Sequence, residues 1–456
     1  MRKNLPFMRW IIAAIFILGM VTGCAKETDS QKDADTGAGY PNGTMVLYDY
    51  GQPQYWLQFF TNYLVDHPEE TEGVSVEMVQ TEGEADVRQK VQMSLTAGSY
   101  GELPDAIATA PVSMQALAEG GALMDMTDFL TPYMDDFFPG TFDQITYKGK
   151  IYGLPKSLRP QLIFYNKDVF DTYGIDPAEM DTFAGYLEVG RKLKKLSNGT
   201  VYLSYIDPGS RTWRYYGRRG FMPQANARIW DDAGNIVIDK DPGARRAFET
   251  IRRLYEEGLL LKSKIFEPPL YEACRNGQIA TFYIGAFWDE FLRKNLPDMK
   301  GSWRVMPAPV YSDIGTRGAA VIGIQAIVKK PKPVYAGLYE DIWLDFHFNG
   351  EARKKWTISM EEQNAPYPNP ITEKLLEDPF WKEPSAFYGG QSFREMEGIG
   401  LRDASENMRV TSDDAEADLI ISAELEKYLA GDQSMDEAVI NMGKNLRAKI
   451  GKTEAK

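Results

Sequence analysis

From Gly43 onward the sequence alternates short β-patterned runs with helical ones, which limits the chain to an α/β architecture. Thr44-Met45-Val46-Leu47-Tyr48 reads as a buried strand, and Val74-Ser75-Val76-Glu77-Met78-Val79 as a second with apolar residues at alternate positions. An aromatic-rich helix over about residues 55–65 joins them. Val87, Val91 and Leu95 recur at helical spacing until Gly98, and Leu103-Pro104-Asp105 then leads into a strand at residues 106–108. Pro111 opens a further helix through Met114 and Leu117, closed by Gly120-Gly121. The middle keeps this rhythm: Leu162-Ile163-Phe164-Tyr165 is a strand, Asn166-Lys167-Asp168 opens a helix, and Phe248, Ile251, Leu254 and Tyr255 form another that Gly258 ends. From about Glu416 the pattern is helical to the end, with a stop at Gly431 and a capping box at Ser434-x-x-Glu437. Strands and helices in succession imply mostly parallel strands covered by helices on both faces.

The first 24 residues are of another kind. Arg2, Lys3 and Arg9 supply positive charge, residues 11–18 an apolar run, and Val21-Thr22-Gly23-Cys24 ends it in a small residue before a cysteine, as in a bacterial lipoprotein signal. The apolar stretch is well short of the roughly 20 residues that cross a bilayer as a helix. The expectation is an exported chain that loses residues 1–23 and is held on the cell membrane, on a bacterial surface of Gram-positive type, by lipid at Cys24. An ordinary secretory signal cleaved near the same place is the alternative. Residues 24–42, rich in Lys, Asp, Glu, Thr, Gly and Ala, read as a flexible tether.

A chain of 456 residues is too long for one ordinary core and suits two lobes. The formal charge of −14 disfavours nucleic acid and anionic headgroups as partners. Of two cysteines one is the lipid site, so Cys274 has no partner for an internal disulfide. Cys274, His67 and His347 are too few for a structural zinc site, and no metal and no cofactor are expected.

Several motifs, in order along the chain, resemble the extracellular solute-binding proteins of ABC importers. Leu95-Thr96-Ala97-Gly98, Leu103-Pro104-Asp105 and Leu117-Ala118-Glu119-Gly120-Gly121-Ala122-Leu123 are similar to that family's first lobe. Ile151-Tyr152-Gly153-Leu154-Pro155, followed by Ile163-Phe164-Tyr165-Asn166-Lys167, resembles its first interlobe crossing. Gln278-Ile279-Ala280-Thr281-Phe282-Tyr283-Ile284-Gly285 with Trp288 resembles a strand-turn-helix of the second lobe. Trp303-Arg304-Val305-Met306-Pro307-Ala308-Pro309 and then Val321-Ile322-Gly323-Ile324 resemble the return crossing. Ala286 stands where the family usually has glycine, and Ser99-Tyr100-Gly101-Glu102 lengthens a loop. The resemblance implies a two-lobed periplasmic-binding-protein-like fold of type II, the maltose-binding kind, with lobe 1 from residues 43–154 plus 306–328 and lobe 2 from 155–305 plus 329–456. It implies a monomeric lipoprotein that closes over an oligosaccharide or sugar in the interlobe cleft and delivers it to ABC permease subunits served by a separate ATPase.

A sugar offers a weakly apolar face and an edge of hydroxyls, so its site needs aromatic platforms beside carboxylates and amides. Asp49 and Tyr50 leave the first strand at its carboxyl end, where open α/β sheets bind ligands, and Trp56 follows. Thr109 has a similar position; Asp105 reads as a cap ordering its loop. The cluster Arg211-Thr212-Trp213-Arg214-Tyr215-Tyr216-Gly217-Arg218-Arg219 fits no apolar period. It offers Trp213 and Tyr216 for stacking and Arg211 for a bidentate contact. If its arginines face the cleft, an anionic sugar such as a uronic acid follows. Tyr283, at the end of a strand, and Trp288, at the start of the next helix, are further platform candidates, although Trp288, Phe291 and Leu292 also fit one helix face packed in a core; Trp230 suits either a platform or the cover of a hairpin at 231–235. Gly323 admits backbone close to a ligand, and Tyr367 sits in a Pro-rich loop, 365–370, placed to close the cleft mouth. The competing class is an exported glycan-active enzyme using paired carboxylates. The sequence has no Gly-x-Ser-x-Gly elbow, no His-Glu-x-x-His and no phosphate loop.

Overall fold

A computed structural model describes residues 39–50, 53–363, 365 and 367–451. The leader, Cys24 and most of the tether lie outside the described residues. Gly39–Lys456 forms one compact unit. The strand Gly43–Tyr50 pairs in parallel with Val74–Thr81 on one side and Ala106–Thr109 on the other. The helices that the pattern predicted fall between them, Pro53–Asp66 and Glu84–Ala97, the second ending at Gly98 with its φ at +69°. Asp105 acts as the expected cap, Oδ2 accepting from Val46 N at 2.8 Å and Oδ1 from Lys330 Nζ at 2.8 Å.

One long strand carries the chain from the first lobe to the second, and the return path brings a second strand alongside it. Leu154–Asn166 pairs through residues 154–160 with Ala320–Ile327, and through residues 161–166 with Thr281–Gly285 and Trp303–Pro307. All three of these pairings are antiparallel, so the seven-stranded sheet is mixed rather than mostly parallel. The physical reason is that the outward and return crossings run in opposite directions side by side. Beyond the crossing, Ser204–Ile206 and Leu260–Lys262 form a small parallel pair.

The buried side chains fall into a first-lobe cluster and two second-lobe clusters. Leu158 belongs to the first and Leu162 to the third, so the outward crossing comes near Gln161, later than the boundary at residue 154. Ala308 packs in the second lobe, and the chain rejoins the first at Ala320. The helices Ala336–Phe348 and Gly350–Glu362, expected in the second lobe, put Trp343, Phe346 and Trp356 into the first-lobe cluster. They settle there because Phe346 and Trp356 pack against Trp56 and Phe59, with ring centroids 4.3–6.0 Å apart. The last two helices, Asp414–Ala430 and Met435–Ile450, pack in the second lobe, with the expected stop at Gly431 and capping box at Ser434. No described helix is long and apolar enough to cross a membrane.

Candidate functional site

Two cavities lie side by side where the lobes face each other. The first, about 240 Å³, is built from strand ends. Asp49 and Tyr50 come from the end of Gly43–Tyr50, Thr109 from the end of Ala106–Thr109, and Lys156, Ser157 and Arg159 from the outward crossing. Gly323 and Ile324 sit at a register shift of the return strand, a bulge that re-aims the backbone. A Cβ on Gly323 would stand 2.5 Å from Ser157 Oγ but 3.8 Å from the Ser157 backbone nitrogen, so a side chain here would have to turn the serine hydroxyl aside. Tyr55 and Trp56 of the first helix, Trp356, Phe287, Glu290 and Pro368 complete the wall.

The floor of this cavity is ionic. Lys156 Nζ stands 3.3 Å from Asp49 Oδ2 and 4.6 Å above the Trp56 ring. Arg159, almost fully buried, donates to Glu397 Oε1 at 2.8 Å, to Glu290 Oε1 at 2.8 Å and to the Tyr367 carbonyl at 3.0 Å. Burial works against the guanidinium charge, yet the two carboxylates overcome it and hold Arg159 above its ordinary pKa. Burial also raises the carboxyl pKa of Glu290, which faces the cavity, with Arg159 pulling the other way. Burial, then Glu84 and Asp49, push the Tyr50 hydroxyl upward, so it stays a neutral donor. Half-buried Tyr50, Tyr55 and Phe287 offer ring area, while charged and hydroxyl groups offer directional hydrogen bonds.

The second cavity, about 210 Å³, adjoins it: Ala110 and Val321 line this one where Thr109 and Gly323 line the other. Its second-lobe wall is the π-type helical segment Trp213–Phe221. A Cβ on Gly217 would meet the Trp213 ring at 2.3 Å, and one on Gly220 the Tyr283 ring at 2.8 Å, which accounts for both glycines as packing requirements. Glu84, Gln144, Asn407 and Asp418 supply further polar lining.

The structure thus brings together Asp49, Tyr50, Trp56, Thr109 and Gly323 around the first cavity and Trp213 at the second. The other expected residues lie elsewhere. Tyr216 is core: its hydroxyl donates to the Tyr205 carbonyl at 2.6 Å and its ring stacks on Phe221. Tyr283 is core too, stacked 4.9 Å from Phe221 and bonded to Gln224. Trp230 donates to Asp414 Oδ1 at 3.0 Å in the second-lobe core. Trp288 is 0% exposed and stacked between neighbours of its own lobe, within 15° of Tyr271 and 21° of Phe291. Such rings have no free face for a sugar. Arg211 is exposed and spends its guanidinium on the Ile265 carbonyl at 2.9 Å and on Asp207. Tyr367 is buried; the residue of its loop that reaches the cavity is Pro368.

Sequence reasoning missed Tyr55, Lys156, Arg159, Phe287, Glu290 and Trp356. A signal existed for two: Lys156 and Arg159 are the charges of a crossing strand whose other residues are uncharged and mostly buried, so each needs a partner. Among the described residues no group of three or more His, Cys, Asp or Glu is arranged to hold a metal ion.

A two-lobed α/β protein with polar and aromatic cavities between its lobes has the architecture of a protein that encloses a solute. The family model for bacterial extracellular solute-binding proteins matches residues 51–336, and the chain belongs to that family. It is similar to the arabinooligosaccharide-binding protein of Halalkalibacterium halodurans, 24% identical over 52% of each chain. It is also similar to the arabinooligosaccharide-binding protein of Bacillus subtilis, 21% identical over 70% of this chain and 71% of that one. The match thus spans about half the length of the first relative. Among solved structures, the ABC transporter associated binding protein of B. animalis subsp. lactis, in complex with β-1,6-galactobiose, shares the fold. Its TM-score is 0.71 at 21% identity, over 90% of this chain and 98% of that one.

Proposed function

We propose that this protein is a non-enzymatic substrate-binding lipoprotein that captures an oligosaccharide between its lobes and delivers it to an ABC permease. Anchoring by lipid at Cys24 belongs to this reading and rests on the leader sequence. The observation that carries it is the first cavity, where half-buried Tyr50, Tyr55 and Phe287 stand among Asp49, Lys156, Arg159 and Glu290, with lining from both lobes. Relatives that bind arabinooligosaccharide, and a fold neighbour holding galactobiose, support a saccharide as the solute. Ligand contacts shared by the two lobes favour the closed form, and closure then signals loading to the permease.

The test is a thermal-shift and calorimetric screen of the protein lacking residues 1–24 against arabino-, galacto- and malto-oligosaccharides and their acidic counterparts. One class is expected to raise Tm by mass action and to be recovered uncut. Shortened products would show an enzyme instead, and a panel without any binding would sink the saccharide reading.

A further inference from the structure

The segment Trp213–Phe221 brings three arginines to the second cavity, and their partners differ. Arg218 is saturated, 2.9 Å from Asp418 and 3.0 Å from Asp414, and the indoles of Trp213 and Trp230 donate to the same two carboxylates. Arg214 faces Glu84 of the opposite lobe at 3.9 Å, beyond hydrogen-bond length, and is neutralised only in part. Arg219 makes no hydrogen bond and no ion pair with any described residue; its guanidinium lies 5.8 Å from the centre of the Tyr215 ring. Burial, followed by the neighbouring charge of Arg214, pushes its pKa down to about 10. A guanidinium stays charged at neutral pH all the same, so this corner of the cavity carries a half-buried cation that feels Glu84 only at longer range and has no direct ion pair among the described residues. Tyr50 stands in the field of Arg214, Arg219 and Glu84 while lining the first cavity, which puts the arginines near the junction of the two cavities.

We propose that Arg219, with Arg214 beside it, binds the carboxylate of a uronic acid unit, and that the solute is an acidic oligosaccharide whose neighbouring ring occupies the first cavity. The proposal rests on the saccharide reading above. A carboxylate matches the planar guanidinium fork, and no described carboxylate is in direct contact with Arg219. Asp418 is engaged by Arg218, and the one carboxylate of Glu84 is shared between the two cations Arg214, at 3.9 Å, and Arg219, at longer range, which leaves net positive charge at this corner.

The experiment titrates the protein lacking residues 1–24 with di- and trigalacturonate, with the same oligomers methyl-esterified at the carboxyl, and with neutral arabino- and galacto-oligosaccharides. The acid is expected to bind about ten- to a hundredfold more tightly than its ester, an advantage that shrinks as salt rises. Arg219→Gln is expected to lower the affinity for the acid much more than that for the ester and so remove most of the preference, while Arg219→Lys keeps part of it. Equal binding of acid and ester, binding of neutral oligosaccharides alone, or an acid preference untouched in Arg219→Gln would each overturn the proposal and leave the saccharide reading standing. Failure of every oligosaccharide, neutral and acidic, would overturn both.

Discussion

Replacing Trp288 by alanine empties a site bounded by Tyr271, Phe282 and Phe291, so the expected cost is about 3–5 kcal/mol of stability. Replacing Tyr55 or Phe287 by alanine is expected to leave urea midpoints nearly in place and to weaken solute binding by about 1 kcal/mol. Urea unfolding and calorimetry on the three variants check the pair of outcomes together; a loss of affinity in Trp288→Ala without loss of stability would return that ring to the cleft. The sequence could not sort these aromatics, because a ring at the end of a strand suits a platform and a core equally. The spacing of Trp288, Phe291 and Leu292 on one helix face already allowed core packing; what decides is the stacking on Tyr271, from another helix, which no local pattern encodes. His347 permits a further test at this scale. Its Nε2–H donates to the Pro155 carbonyl at 2.8 Å, and burial, then Arg353, hold its pKa well below the ordinary 6.5. The folded protein therefore keeps this ring neutral where the unfolded chain takes up a proton. The stability it contributes is present above about pH 6.5 and falls as pH drops, by up to about 1.4 kcal/mol per pH unit. His347→Gln, which keeps a donor for Pro155, is expected to flatten the stability profile between pH 6.5 and 5. An unchanged slope would show that the buried ring is protonated.

Among the elements, the outward crossing strand carries more than connectivity, because Arg159 ties Glu290 of the second lobe to Glu397 and to the Tyr367 carbonyl at one point. Arg159→Met leaves two carboxylates buried without their cation, and the expected loss is about 3–5 kcal/mol, read by chemical denaturation. Glu397→Gln in the same background is expected to recover part of it, since it removes one of the uncompensated charges; no recovery would mean that lost packing rather than charge explains the first loss. The strand at residues 162–165 and the helix after it were legible because Asn166 caps that helix, Oδ1 accepting from Asp168 N at 3.0 Å. The segment Trp213–Phe221 could be read as a helix start, but its face was not legible, since a π-type turn breaks the 3.6-residue period and two glycines interrupt it. Its arginines were nevertheless visible as a cluster that no apolar stripe explained, and Arg214 and Arg219 prove to line the cavity in place of Arg211. The helices Ala336–Phe348 and Gly350–Glu362 show the opposite limit. Their lobe is chosen by contacts of Phe346 and Trp356 with a helix nearly 300 residues earlier, and sequence spacing holds no record of that choice.

For the whole molecule, the order of motifs pointed to two crossings; the outward one lies inside the strand Leu154–Asn166, near Gln161, and the return one falls between Ala308 and Ala320, where no strand pattern marks it. The cleft between the lobes is where function and global motion meet. Lining from both lobes matters energetically: a solute that touched one lobe alone would bind the open and closed forms alike and shift nothing. Moving a mostly open population to a mostly closed one takes about 5.5 kcal/mol of preference for the closed form. In the proposed function Tyr50 and Tyr55 of the first lobe share the solute with Phe287, Glu290 and Arg219 of the second, all of which line the two cavities. The expected outcome is a fall in radius of gyration by small-angle scattering when the protein is saturated with its oligosaccharide. Phe287→Ala combined with Arg219→Gln is expected to reduce that compaction even at saturating solute, because the second lobe keeps only part of its contacts and the preference for the closed form shrinks. Binding without any change in radius, in the parent protein, would mean that the solute rests on a single lobe and that closure is not the signal of loading.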